Sequence, residues 1–409
     1  DGNNIYLTID ASIQLFVEQA ISKALDKYDA DWMTIMVANA KTGAILASST
    51  YPTFDPNLRD MTNYLDYNIS YAYEPGSTMK IFSYMATMEN GEYNGSEKYT
   101  SGVYKTKDGT EIGDWLRSGW GKITYDQGFA LSSNVGVINL INKHLNGNLL
   151  MDYYKKLGFG SKTNIELANE VSGKLAFKYE TEVFNAGFGQ GITTTPIQNI
   201  KALTSISNNG TLLQPYIIDK IVDQNTGKVI YKGEKKELEK VASTETVSKI
   251  KDLMESVING NSRTSTGYYY YMDGYDIIAK TGTAQVARES GKGYYDNQVI
   301  RGFAGMFPKD NPEVIMYVAA KNPSSTKLMS EVVKEIVKNT SNYLGIYNGK
   351  KEENKNLTNY TLDSYINNNV DTVKDTLTKN KINVVVIGNG NRITIQYPKA
   401  GATASEIDK

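Results

Sequence analysis

The 409-residue chain predicts an α/β fold of the α+β kind, an antiparallel sheet flanked by helices. Three observations carry this reading. Ile13, Phe16, Val17, Ala20, Ile21 and Leu25 recur at helical spacing within residues 12–30. Two strand-like runs, 32–39 and 44–49, follow as a hairpin around Lys41-Thr42-Gly43. Far downstream, a strand over 275–279 runs on through 280–285, and 299–307 and 314–320 complete a three-strand meander. A helix, a hairpin and distant strands of this kind combine into one sheet with helices packed on it.

The elements follow in order. Residues 4–9 are a short entry strand, and Asp10 is placed to cap the first helix. Residues 51–57 form a loop, and 60–73 lead into Tyr73-Glu74-Pro75-Gly76-Ser77-Thr78-Met79-Lys80. Pro75 and Gly76 break the chain just before a helix-compatible run, 78–88, so Ser77 sits where loop becomes helix. Its backbone N–H is one of the unpaired donors of a first turn. Lys80, three residues on, shares its face. Residues 90–124 are polar and glycine-rich, with 100–112 a hairpin; Trp115 is either a packing residue or part of a cleft wall. A helix over 123–129 then runs into Leu131-Ser132-Ser133-Asn134, and a fresh helix covers 137–144. Taken alone, Ser132 and Asn134 read as a serine-rich cap.

Phe188-Gly189-Gln190-Gly191 reads as a backbone turn beside a cleft, because no strand–glycine loop–helix unit of nucleotide type surrounds it. A helix over 197–207, a hairpin of 216–222 with 228–231, a charged exposed stretch over 232–245 and a helix over 247–258 come next. In the strand that follows, Gly282 removes a side chain where a ligand backbone would approach. Thr281 and Thr283 share one face of it, and Lys280 and Gly282 the other. A helix over 329–343 closes the large domain, expected to span 1–347. Residues 348–355 are a charged linker. Beyond it, a helix over 372–380 and strands over 382–387 and 392–397 make a small module without an acid/base cluster.

Composition removes several kinds of chemistry. Lys+Arg 44 against Asp+Glu 45 leaves a net charge of −1, which implies no nucleic-acid partner. The absence of cysteine excludes thiol catalysis, disulfides and cysteine-based zinc sites, and suits an exported protein. The single histidine, His144, lies in a polar helix end and reads as a surface residue. A serine triad needs a histidine beside its serine, and a zinc site usually needs more than one. Serine–lysine chemistry is then the leading covalent option, since a lysine desolvated beside another cation loses its proton near neutral pH and can activate a serine. No apolar run reaches the ~18 residues of a membrane span.

Three motifs now stand in chain order: Ser77-Thr78-Met79-Lys80, Ser132-Ser133-Asn134 and Lys280-Thr281-Gly282-Thr283. This combination marks class A β-lactamases and penicillin-binding proteins. With Glu74-Pro75-Gly76, Phe188-Gly189-Gln190-Gly191 and Ala284-Gln285, the chain resembles a class B penicillin-binding protein of the division or sporulation type. The tail over 356–409 resembles an incomplete PASTA module, through Val384-Val385-Val386 and Gln396-Tyr397-Pro398-Lys399-Ala400-Gly401. The resemblance implies the transpeptidase fold of that family, with an all-helical subdomain beside the sheet. It also implies a D,D-transpeptidase that takes D-Ala-D-Ala stem peptides as donor and a stem-peptide amine as acceptor, and that is acylated by β-lactams. In that reading Ser77 is the nucleophile, Lys80 its base, Ser132 a proton relay, Asn134 an orienting group, and Lys280 a positive field acting on Lys80 and on the substrate carboxylate. Thr281, Gly282, Thr283, Gln285 and Trp115 bind substrate, and the N–H groups of Ser77 and Thr283 form the oxyanion hole, with no metal or cofactor. The resemblance further implies an N-terminal anchor, a location on the outer face of the cell membrane, and a membrane glycan polymerase with division or sporulation proteins as partners. A β-lactamase, a D,D-carboxypeptidase and a non-catalytic β-lactam or muropeptide sensor are the alternatives.

Overall fold

A computed structural model describes residues 2–54, 57, 58, 64–288, 293–351, 360–380, 390–403 and the even-numbered positions 382–388. Its centre is a five-stranded sheet of β1 (Trp32–Asn39), β2 (Ile45–Tyr51), β3 (Ile278–Ala287), β4 (Tyr294–Phe307) and β5 (Val314–Lys321). The order is β3-β4-β5-β1-β2, antiparallel throughout. The early hairpin and the late meander join where β5 pairs with β1. Both of those central strands are buried at nearly every position. An antiparallel strand buried on successive residues has both faces covered, which is why these two read as nearly continuous apolar runs, broken inside β1 only by Thr34.

The covering helices are α1 (Ala11–Leu25) and α9 (Thr326–Leu344), which pack on each other and on the sheet, and α7 (Pro196–Ser207) and α8 (Thr244–Ile258). Asp10 caps α1 as expected, accepting the N–H groups of Ser12 and Ile13 at 2.9 and 3.0 Å. Between sheet strands lies the helical part, α2 (Lys80–Glu89), α3 (Tyr125–Ala130), α4 (Asn134–His144), α5 (Gly147–Lys156) and α6 (Glu180–Gly187). β3 is an edge strand, so one of its sides is open towards these helices. The entry strand Asn4–Leu7 forms a second, three-stranded sheet with Ile218–Val222 and Val229–Lys232.

Several expectations need correction. The helix over 123–129 is divided. Lys122–Thr124 is a strand paired with Lys98–Thr100, and α3 begins only at Tyr125. A capping box forces the division, with Gln127 N–H on Thr124 Oγ1 and Thr124 N–H on Gln127 Oε1. The exposed charged stretch over 232–245 contains a strand, Glu237–Lys240, paired with Thr211–Leu213. The linker begins as a hairpin of Ile346–Tyr347 and Lys350–Lys351, and the rest of it lies outside the described residues. In the tail, α10 (Val370–Lys379) is present, but the strand over 392–397 shrinks to one bridge between Arg392 and Asn369. Alternate positions of the strand over 382–387 lie outside the described residues. Leu362, Tyr365, Val373, Leu377 and Ile382 form a small core of their own.

Candidate active site

Ser77 lies not in an α-helix but in a 3-10 turn, Gly76–Met79, that runs into α2 at Lys80. A 3-10 turn has three residues per turn, so residues i and i+3 eclipse, and Ser77 and Lys80 fall in line along the turn. Pro75 starts the turn, and Gly76 has φ +59°. The turn is wedged between two backbones. A Cβ on Gly189 would come within 2.1 Å of Gly76 O, and one on Gly76 within 2.8 Å of Thr283 O. A Cβ on Gly282 would meet Pro75 O and Thr78 Cγ2 at 3.1 Å. Gly282 was expected to make room for a ligand; what approaches it is the serine turn itself. The three glycines of the motifs are therefore a packing device that fixes the Ser77 turn against β3.

Ser132 follows α3 in the left-handed region, φ +59°, where glycine is usual. This strained backbone aims both of its oxygens at the lysines. Lys80 Nζ donates to Ser132 O at 2.6 Å, to Asn134 Oδ1 at 2.7 Å and to Ser132 Oγ at 3.3 Å. Lys280 Nζ donates to Ser132 Oγ and to Thr281 O, both at 2.9 Å. Lys80 and Lys280 are both fully buried. Burial lowers the Lys80 pKa to about 7, against the pull of the Asp114 carboxylate. Burial first, and then the charge of Lys80, pushes Lys280 well below the ordinary lysine range. The rings of Phe188 and Phe129 lie about 6 Å from the two amines, with centroids at 6.0 and 5.8 Å. Ser77 is half-buried, and its hydroxyl makes no hydrogen bond among the described residues.

Asn134 opens α4 and donates its amide N–H to Gly113 O at 2.9 Å, which fixes its oxygen on Lys80. Ser133 is the N-cap of α4. Thr281 Oγ1 pairs with Thr266 Oγ1 at 2.8 Å. Thr283 and Gln285 are exposed farther along β3. The nearness of Thr283 O to Gly76 places that residue's backbone polar groups on the open edge, because in a ladder a residue's N–H and C=O point the same way. Trp115 is 64% exposed, gives its indole N–H to Leu131 O at 3.0 Å, and meets Trp120 edge-to-face. It stands on the rim next to Ser132. His144 pairs with Glu97 instead of joining the site.

Two residues at this site went unassigned in the sequence. Asp114, buried at 3% exposure, accepts from Gly102 N–H, Ser133 Oγ–H and Val135 N–H at 2.8, 2.9 and 3.0 Å. It ties the 102–114 hairpin to the start of α4. Glu74, three residues before Ser77, accepts from Gly191 N–H at 3.0 Å and Tyr294 O–H at 3.3 Å, and burial pushes its carboxyl up to about 7. The Glu-Pro-Gly spacing was the available signal for Glu74. Asp114 was masked by the tryptophan that follows it. Chemically, the arrangement offers a serine hydroxyl at a helix start, an amine that titrates near neutrality, and a second hydroxyl bridging two amines.

Residues 33–342 match the family model described as the penicillin binding protein transpeptidase domain. The chain belongs to the penicillin-binding-protein transpeptidase family. Stage V sporulation protein D of Bacillus subtilis (strain 168) is 34% identical over the whole of this chain and 65% of its own length. Penicillin-binding protein PbpB of Mycolicibacterium smegmatis is 30% identical over 79% of this chain and 51% of its own. The chain thus spans between about half and two thirds of the length of these relatives. Among solved structures, penicillin binding protein 2X from Streptococcus thermophilus superposes with a TM-score of 0.77 at 29% identity, covering 98% of this chain and 62% of that one. Penicillin binding protein 3 from Mycobacterium tuberculosis, complexed with ampicillin, gives 0.76 at 25%, covering 83% and 78%. The family assignment agrees with a mixed fold built on an antiparallel sheet and flanking helices.

Proposed function

We propose that this chain is the transpeptidase part of a peptidoglycan D,D-transpeptidase of class B. The observation that carries the reading is the Ser132 hydroxyl held between the Lys80 and Lys280 amines, beside the Ser77 turn. Neutral Lys80 takes the Ser77 proton as Oγ attacks the carbonyl of the penultimate D-Ala. The backbone N–H groups of Ser77 and Thr283 receive the oxyanion, a role supported by the open edge of β3 at Thr283. Ser132 passes the proton to the departing D-Ala amine, and the acyl ester on Ser77 is then taken by the amine of a neighbouring stem peptide. Asn134 holds Lys80 and the substrate amide. Thr281, Thr283, Gln285 and Trp115 form the surface on which the donor lies, and Gly282 serves it only by letting the Ser77 turn pack against β3.

The relative named Stage V sporulation protein D supports a sporulation role over vegetative division. Membrane-anchored placement outside the cytoplasm, a glycan polymerase as partner, and a PASTA module over 356–409 belong to the same reading. No helix among the described residues is long and apolar enough to cross a membrane. The test is the intact mass of the protein after incubation with a penicillin. The expected result is one stoichiometric adduct that maps to Ser77 and is absent in Ser77→Ala. An adduct elsewhere, or none, would overturn the proposal.

A further inference from the structure

A carboxylate-ended substrate needs a cation at the cleft, and neither lysine of the motifs is free to serve. Both amines are buried; Lys80 directs three hydrogen bonds at Ser132 and Asn134, and Lys280 directs two at Ser132 Oγ and Thr281 O, while burial disfavours its charge. A different cation stands beside the threonines. Arg301 on β4 is the direct cross-strand partner of Thr283, and Phe303 is that of Thr281. Directly opposed residues in an antiparallel pair project on the same face, with Cβ atoms about 4.5–5.5 Å apart. Arg301 therefore shares the Thr281–Thr283 face. That face is closed from below by Thr266, hydrogen-bonded to Thr281, and by Tyr270, whose ring lies 4.7 Å from that of Phe303.

Arg301 is half-buried, its Nε is buried with no hydrogen-bond partner, and it makes no ion pair among the described residues. A buried guanidinium N–H without an acceptor costs free energy unless a ligand supplies one. Arginine stays charged whatever its burial and offers a planar fork matched to a carboxylate.

We propose that Arg301 is a specificity-determining residue that receives the terminal carboxylate of the donor, together with the Thr281 and Thr283 hydroxyls, while Lys280 stays committed to Ser132. This rests on the transpeptidase reading above. It divides the work at β3: the buried lysine handles protons, and the arginine one strand in supplies the fixed positive charge.

The test compares the second-order rate of Ser77 acylation by a penicillin and by its methyl ester, in wild type, Arg301→Gln and Arg301→Lys. A charge-assisted hydrogen bond is worth enough that Arg301→Gln should slow the free acid about 10- to 100-fold. The ester should change little, and Arg301→Lys should fall between. With a D-Ala-D-Ala-type thioester, the loss should sit in KM more than in kcat. Equal losses for acid and ester, or no loss in either variant, would overturn the assignment. Should Arg301→Gln fail to fold, Arg301→Lys decides alone, because it keeps the charge and loses the fork. Adduct formed by the ester in the variants keeps the proposed function standing when this inference fails. Absence of any adduct in wild type removes both.

Discussion

Replacing Asp114 by asparagine probes a residue that touches no reacting atom. Its carboxylate accepts three hydrogen bonds, from Gly102 N–H, Ser133 Oγ–H and Val135 N–H. The asparagine oxygen can keep the pair from Ser133 and Val135, both made to Oδ1. Its amide nitrogen then faces Gly102 N–H, donor against donor. A bond to a charged acceptor contributes about 1.5–3 kcal/mol, and a stranded buried donor costs about 1–3 kcal/mol; the two overlap, giving a loss of about 3 kcal/mol. For a chain of this size that lowers Tm by roughly 3–5 °C. A second effect is electrostatic. Asp114 raises the Lys80 pKa, so its neutralisation lets Lys80 fall further, and the limb of the acylation rate governed by that amine moves to lower pH. The assays are calorimetry and the pH dependence of penicillin acylation. An unchanged Tm would refute the hydrogen-bond argument, and a limb moving to higher pH would refute the electrostatic one.

The wild-type second-order acylation constant should rise with pH through a limb near 7, as Lys80 loses its proton; a rate flat from pH 5 to 9 would rule out Lys80 as the base. The same lowered pKa means that the folded state binds fewer protons than the unfolded chain between about 7 and 10.5, so this residue's contribution to stability is present above that window and is lost as pH falls through it. Gly189→Ala would drive a Cβ into Gly76 O at a residue with φ +83°, so the Ser77 turn should shift; a 1 Å misplacement costs on the order of 100-fold in rate, and acylation at the wild-type rate would contradict the wedge. Ending the chain after Lys351, beyond the small hairpin, should leave penicillin acylation within about threefold of the full chain, since the tail core is separate and such surface losses are small; a larger fall would mean that the tail shapes the cleft.

The sheet was legible because its strands are short apolar or alternating runs bounded by turn residues, and because hairpin and meander keep sequence neighbours paired. The serine turn was legible from Pro75 and Gly76, which are breakers whatever their surroundings. Geometry that depends on a partner was not legible. The role of Ser132 lies in a left-handed backbone, which no rule assigns to a serine; the turn of α3 and the two lysines hold it there. Gly282 carried a correct signal of close backbone approach, but sequence cannot say whose backbone comes. Ile123 and Thr124 lost their helix to a pairing partner some 25 residues away, Lys98–Thr100, and the Thr124–Gln127 capping box then starts α3 at Tyr125.

The two lysines show why their burial and their spacing must be argued together. Both amines reach the same Ser132 oxygen, at 3.3 and 2.9 Å, so they stand within roughly 6 Å of each other. Two ammonium charges at that distance repel by about 3 kcal/mol at an effective dielectric near 20, or about two pKa units. Burial already disfavours each charge, so the resting site holds one proton between two amines more readily than two. A hydroxyl between two amines that compete for a proton is a relay whose direction is set by whichever side gains an acid or a base. In the proposed mechanism, attack by Ser77 would deliver a proton on the Lys80 side, and the departing amine would take one from Ser132. Under that proposal the lysine pair would stand in for a catalytic histidine: neither amine alone would combine a near-neutral pKa with a path to the leaving group, and the strained serine between them would supply that path.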